Sequence, residues 1–454
     1  MNLVLERATI VTCDATRRII EDGAIAIAGG RIAAVGTSEE LRRLHPDWER
    51  LSLKGRAVLP GFINAHTHTL LNVLRGTVED MSGDAIYGFM TPISFVMTPG
   101  ERAAMARLGC LEAIRSGCSG LVDPFRHVVE YAEAMADSGL RLWLSESCAD
   151  ARTLEIRHGV YRYDRAWGET FLDRARALIE TWHGARDGRV QVQISAHAPD
   201  NCSPWMLGEL NGLARRHGLT RTVHLAQGRG EVEQLRRAEN ATPAEYLDRH
   251  DWLAPDVVGA HWTFCSESDI DLLAERGVQM AHCPASSSRR GPHKVRADRI
   301  IERGINIALG TDNMSEDMFQ AMRLGIIVHR GAFGGGVRPQ PQALLDGATR
   351  NAAQSVGRLA ELGSIEQGKL ADLTIIDLND PSLRPIINLP SNLVHCGTPA
   401  CIESVMVAGE FIMREGRVLT MDQAEVVGDA QRAAESAWRR LLDQAPDLPR
   451  PAGM

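Results

Sequence analysis

Two histidines separated by one residue, His66 and His68, close the apolar run FINAHTH (62–68). Residues two apart on a strand project from the same face, so both imidazoles can reach one ion from the interior of a sheet. Pro60 and Gly61 precede the run, which puts the pair where a buried strand opens into a pocket. An HxH pair alone is a weak signal, because a histidine on an apolar strand often serves as a hydrogen-bonded core residue. Two further residues strengthen it: His224 closes the run LTRTVHLA, and Asp312 closes INIALGTDN. Three neutral imidazole nitrogens and one carboxylate oxygen suit a single divalent cation, zinc first, with iron, cobalt, nickel and manganese sharing the same donor preferences. Such a cation lowers the pKa of bound water to about 7 in favourable cases, and a carboxylate beside it can hold and relay the proton; this is hydrolytic chemistry.

The elements that must position these side chains are legible as a repeat. Apolar runs of strand length recur with amphipathic helical segments between them: FINAHTH, GCSGLVD, LRLWLSES, RVQVQISAH, LTRTVHLA, DVVGAHW, VQMAHCP and INIALGTDN. Eight β-then-α units over roughly 300 residues predict a closed (β/α)8 TIM-like barrel. His66, His68, Asp123, His197, His224, His261, His282 and Asp312 all fall at the carboxyl ends of these runs, the end that carries the active site in such barrels. Residues 1–59 alternate apolar and polar residues in short stretches, as do KLADLTIIDL (369–378) and CIESVMVAGEFIMREGRVLT (401–420). Period-2 alternation at both ends predicts a small β-sandwich composed of 1–59 and 363–420, a barrel over 60–362, and a C-terminal amphipathic helix and tail over 421–454.

Bulk properties exclude several classes. The chain has 454 residues, 44% hydrophobic and 24% charged, an ordinary globular composition. A net charge of −8 without a concentrated basic stretch argues against nucleic acid as partner. No window approaches the ~20 apolar residues of a spanning helix, and the amino terminus has no signal-peptide apolar core, so no membrane role is expected. Nine scattered cysteines without a CxxC pair suggest reduced thiols and a cytoplasmic location.

Taken together, LPGFINAHTH (59–68), HLAQGRGEVE (224–233), AHWTF (260–264), AHCPASS (281–287), LGTDN (309–313) and GSIEQGKLADLTIID (363–377) resemble the amidohydrolase superfamily over nearly the whole chain. The likeness is to the branch of aminohydrolases and chlorohydrolases that includes guanine and S-adenosylhomocysteine deaminases and triazine and phenylurea hydrolases. This resemblance implies that Asp312, besides ligating the metal, receives a proton from the nucleophilic water. It places His261 where it can hydrogen-bond the developing oxyanion or shuttle a proton. Two-metal members bridge their ions with a carboxylated lysine on a middle strand; the only lysines here are Lys54, Lys294 and Lys369, outside the third to sixth runs, which favours one ion. His197 is expected to line the pocket, and His282 to tie strand ends together or buttress Asp312. The resemblance also makes a homodimer or larger homo-oligomer the expected assembly.

One position departs from the pattern. Deaminases of this branch carry HxxE where this chain has HLAQ, so Gln227 stands in place of the glutamate that protonates a ring nitrogen. Glutamine exchanges hydrogen bonds but relays no proton between pH 5 and 9. The leading expectation is therefore hydrolysis of a non-peptide C–N bond of a small molecule, of amide, urea or carbamate type, with Asp312, His261 and Gln227 in the reaction zone. Deamination of a purine, pterin or triazine ring is the alternative, with Glu231 a candidate to replace the missing acid, and a catalytically silent metal-binding barrel is a third. Tyr87, Phe89 and Phe95 lie in an apolar segment after the first run that suits a pocket for a neutral or aromatic ligand, or equally packing of the barrel mouth. GAFGGGVRP (331–339) has too many glycines for a helix and no following GK[ST], so it reads as a loop.

Overall fold

Predominantly apolar runs form strands buried on both faces, and here they form a parallel sheet. In the computed structural model, which describes residues 2–80, 86–289, 294–332, 338–448 and 450, the eight predicted runs become the eight staves of a barrel. They are Phe62–Asn64, Cys118–Phe125, Arg141–Cys148, Val190–Val192 continued by Ile194–Ala196, Arg221–Leu225, Val257–His261, Gln279–His282 and Ile307–Leu309. Neighbours in sequence are neighbours in the sheet, all parallel. A parallel bridge between Thr67 and Asp312 joins the last stave to the first. The predicted loop at 331–339 and the apolar segment after the first stave run partly through 333–337 and 81–85, which lie outside the described residues.

Helices cross between the staves, and their ends are specified locally. Thr98 and Glu101 form a reciprocal capping box that starts Pro99–Arg115. Ser203 caps Pro204–His217, which ends on Gly218 at φ 64°, a left-handed conformation that glycine adopts without strain. The helix predicted near the C-terminus is Gln423–Gln444; it lies along Pro99–Arg115, where Trp438 donates to the Val73 carbonyl (2.8 Å) and Arg440 grips Glu101 with two nitrogens (2.7 and 2.9 Å).

The two chain ends meet in a separate mixed sheet. Arg56–Pro60 pairs antiparallel with Leu373–Asp377, so strands from before the barrel (Asn2–Val11, Ile19–Ala28, Arg31–Thr37) and after it (Ile402–Val407, Glu410–Arg414) form one hydrogen-bonded series. Its alternating residues close one face over Leu3, Leu5, Ile25, Ile375 and Met406, while Val4, Ala24 and Ala26 pack under helix Ser38–Leu44 on the other. This is the small β-domain expected beside the barrel.

A buried ion pair clamps sheet to barrel. Arg141, the first residue of the third stave, donates from Nε to Asp372 Oδ2 (2.7 Å) and from Nη2 to Oδ1 (3.0 Å), and Asp372 also accepts from the Ala408 N–H (2.8 Å). Both side chains are 4% exposed. Removing one partner strands the other charge out of water, so Asp372→Ala is expected to lower unfolding free energy by about 3–5 kcal/mol in urea titration; a loss below about 1 kcal/mol, the value of a solvated surface pair, would show that the clamp is dispensable.

Candidate metal centre and active site

The barrel delivers the predicted polar residues to one end. His66 and His68 follow the first stave, His224 lies in the fifth, His261 ends the sixth, and Asp312 follows the eighth. His68 Nε2 stands 3.4 Å from Asp312 Oδ1 and His66 Nε2 3.7 Å from the same oxygen. His68 Nε2 and His224 Nε2 are 3.2 Å apart. One ligand atom each of His66, His68 and His224 lies within 4.8 Å of the others, and the same holds for His66, His261 and Asp312. The His224 and His261 rings stack at 5.5 Å.

These side chains are buried, yet both ring nitrogens of His66 and of His261, and Nδ1 of His68, have no hydrogen-bond partner among the described residues. Buried polar nitrogens left unsatisfied are costly, and several of them aimed at a common point are the donor set of a cation. Burial, with neighbouring imidazoles adding to it, pushes His66 and His68 well below the usual histidine range; His224 falls to about 4 and His261 to about 3. All four are neutral near pH 7, which leaves lone pairs for ligation.

Hydrogen bonds behind the cluster aim its members. His224 Nδ1 lies 2.6 Å from the His197 carbonyl, which assigns the proton to Nδ1 and turns the Nε2 lone pair inward. Asp312 Oδ2 accepts from Ser286 Oγ and from Asn313 Nδ2 (2.8 Å), leaving Oδ1 to face the histidines. Burial pushes the Asp312 carboxyl up, against the pull of the Ser286 bond. His261 (φ 81°) and Asp312 (φ 70°) are left-handed without being glycine, a conformation costing of order 1–3 kcal/mol that persists only where surroundings enforce it.

For Asp312 the enforcement is the seam of the barrel. Its N–H donates to the His66 carbonyl (2.9 Å), and its own carbonyl accepts from the His68 N–H (2.6 Å). Beneath the seam Asn64 Nδ2 (2.9 Å), Thr67 Oγ1 (2.7 Å) and Thr311 Oγ1 (3.2 Å) converge on Glu316, whose carboxyl burial pushes far up. Gly310 makes the approach feasible: a Cβ there would meet the His66 carbonyl oxygen at 2.7 Å.

The other predicted residues take varied places. His197 joins the rim, its ring 5.1 Å from that of His224, with the Asn201 amide 2.6 Å from Nδ1 and Arg126 Nη2 3.1 Å from Nε2. Tyr87 connects to it through Asn201 Nδ2 (3.0 Å). Phe95 lies one layer further out, against His127 and Trp167. Phe89 turns away, into the core beside Trp438. His282 sits behind the seventh stave with Nε2 2.8 Å from His329 Nε2, tying stave to helix Met318–Ala332. Gln227 is half-buried just past the fifth stave. Glu231 does not project freely: its oxygens accept from the backbone N–H groups of Ala226 (2.7 Å) and Gln227 (2.9 Å), while burial and then Asp200 push its carboxyl up to about 8. Sequence reasoning missed Arg126, Asn201, Ser286 and Glu316. Of these, Ser286 lies within the AHCPASS motif and Glu316 is an acid four residues past a suspected ligand, Asp312, so both carried a signal.

The amidohydrolase family profile matches residues 57–412, and a profile of the bacterial imidazolonepropionase-like composite domain matches residues 23–47. A 5'-deoxyadenosine deaminase of Methanosarcina mazei is 28% identical over 97% of this chain and 99% of its own length. A 5-methylthioadenosine/S-adenosylhomocysteine deaminase of Syntrophobacter fumaroxidans is 31% identical over 94% and 96%. The chain also superimposes on a zinc-bound adenosine deaminase of Xanthomonas campestris (TM-score 0.85, 23% identity, 96% and 99% covered) and on atrazine chlorohydrolase of Arthrobacter aurescens with zinc (0.85, 22%, 95% and 100%). At those identities the likeness is one of fold.

If seam geometry sets the ligand distances, Gly310→Ala should lower bound divalent metal well below wild type in metal analysis, zinc included, while far-ultraviolet circular dichroism keeps its shape. Full zinc content in that variant would separate the glycine from the site.

Proposed function

The chain belongs to the amidohydrolase family and is a divalent-metal-dependent hydrolase of carbon–nitrogen bonds other than peptide bonds, and on that premise we propose that it cleaves an amide, urea or carbamate bond of a small molecule. The observation that carries the reading is the clustering of His66 and His68 against Asp312 Oδ1 with His224 and His261 in the two overlapping triads around them, in a chain that has glutamine at the position of the expected acid. We take His66, His68, His224 and Asp312 as the ligands of one ion, zinc by first choice. Support for a single ion comes from the lysines: the Nζ of Lys369 is held by the Leu359 and Leu362 carbonyls, Lys294 lies over Phe264, and Lys54 is exposed.

When bound, a divalent cation acidifies water and polarises a carbonyl. Asp312 Oδ1, held toward that position by the bonds on Oδ2, takes the proton of the attacking water and returns it to the departing nitrogen. His261, neutral and without other partners, donates to the oxygen that gains charge. Gln227 can orient the substrate but supplies no proton. Glu231 is committed to the backbone that presents Gln227 and does not take over as donor. An acyl-type carbonyl needs no protonated ring nitrogen, which favours it as the reacting group. Ring deamination is the second reading, favoured by the activities of the deaminases similar to this chain over nearly its full length.

We further propose the units 1–59 with 363–420, 60–362 and 421–454, and a homodimer or larger assembly. Nine unpaired cysteines support a cytoplasmic location. No helix among the described residues is long and apolar enough to cross a membrane.

Chelation should abolish hydrolysis over a panel of amides, ureas, carbamates and aminated heterocycles, and zinc should restore it. Asp312→Asn should lower kcat by about 10²–10⁴-fold, the usual contribution of a positioned base; activity within about tenfold of wild type would sink the role given to Asp312. Gln227→Glu distinguishes the two readings: deamination of aminated purines should rise by about 10²-fold or more if the native chain lacks the acid, and an unchanged rate on a substrate the wild type already deaminates well would favour the second.

A further inference from the structure

Four arginines are buried among the described residues: Arg102, Arg126, Arg141 and Arg221. Three of them are neutralised by a carboxylate, Arg102 by Glu130 (2.6 Å), Arg141 by Asp372 (2.7 Å) and Arg221 by Asp256 (2.7 Å). Arg126 is the exception, although at 1% exposure it is the most deeply buried. Among the described residues its one hydrogen bond goes from Nη2 to the neutral ring of His197 (3.1 Å), and its Nε has no partner. The acid nearby, Glu146, is occupied by Arg174 Nε (2.7 Å) and by the N–H groups of His127 (3.1 Å) and Val128 (3.0 Å). A guanidinium cannot shed its proton to escape burial, so an uncompensated one is a standing charge awaiting an anion.

Its position says what kind of anion. Arg126 immediately follows the second stave, on the end where the histidines gather. The preceding Phe125 packs its ring 4.9 Å from that of His68, and His197 bridges Arg126 to His224. The guanidinium lies 5.7 Å from the centre of the Phe125 ring and 5.9 Å from that of Phe95. With Phe95 and Phe125 about it, the planar guanidinium fork matches a compact, planar two-oxygen anion, and a carboxylate is the common one carried by small organic molecules.

We propose that Arg126 is a specificity residue that binds a carboxylate carried by the substrate, one imidazole's width from the metal ligands. The assignment rests on the hydrolase reading of the centre and narrows it: the substrate is a small organic acid whose scissile carbon–nitrogen bond lies a short spacer from its carboxylate. The apolar rings of Phe95 and Phe125 add contact for the remainder of the molecule but carry no charge discrimination of their own.

The test uses zinc-loaded full-length protein and two matched pairs, N-carbamoylphenylalanine with its carboxamide and adenine-9-acetate with adenine-9-acetamide, measured by calorimetric binding and by turnover. In at least one pair the acid should bind about 10- to 100-fold more tightly than the neutral analogue, the value of hydrogen bonds to a charged group. Arg126→Met and Arg126→Gln should erase that preference while leaving zinc content and affinity for the neutral partner unchanged. The proposal is overturned if no acid binds, if the neutral members bind equally well, or if either folded, zinc-loaded variant keeps the preference. Acid-selective binding without turnover of any probe would support the assignment of Arg126 while counting against the proposed reaction, so the two ideas fail separately.

Discussion

A barrel closes only if its first and last staves accept each other, and in this molecule that contact also forms part of the proposed active site. The Asp312 N–H donates to the His66 carbonyl and the Asp312 carbonyl accepts from the His68 N–H across the seam, and the side chains on either side of those bonds are among the proposed metal ligands. Ligand spacing is thus set by main-chain geometry, the stiffest part of a protein, and depends little on the rotamers of long side chains. The cost is tight clearance, since Gly310 has no room for a Cβ and Asp312 must adopt a left-handed backbone. Glu316 with Asn64, Thr67 and Thr311 supplies the hydrogen bonding that makes this arrangement stable in a buried setting.

Around this fixed seam the chemistry is tuned by what each polar atom is allowed to touch. The His197 carbonyl selects one tautomer of His224. Ser286 and Asn313 occupy one oxygen of Asp312 and so assign the reactive role to the other. His261 has both nitrogens unpartnered among the described residues, which leaves it available for the role proposed for it. The terminal sheet contributes at a distance: the Arg141–Asp372 pair anchors the base of the third stave, the opposite end from the histidines.

Much of this was legible in the sequence, for reasons that differ from residue to residue. The staves were readable because parallel strands buried on both faces have to be apolar throughout, and eight such runs admit few other folds. His66, His68, His224 and Asp312 were readable because each is a polar residue at the end of such a run. Phe89 could not be told from Phe95 and Tyr87, because an aromatic residue has the same signature whether it faces a pocket or the Trp438 side of the core. Arg126 was invisible for a related reason: one arginine among many announces itself only when the structure shows that no acid has come to meet it. Glu231 is an acid that the sequence leaves free to enter the pocket, and only hydrogen-bond directions reveal that it serves the backbone.

The seam joins residues 245 positions apart, Thr67 and Asp312. During synthesis the first two histidines therefore emerge long before their carboxylate partner, and a chain stalled short of the eighth stave owns donors but no site. Closing so long a loop is slow and entropically demanding, and a bound cation rewards only the closed state. A cation held at the proposed site would therefore stabilise the closed barrel over chains whose eighth stave has not yet docked.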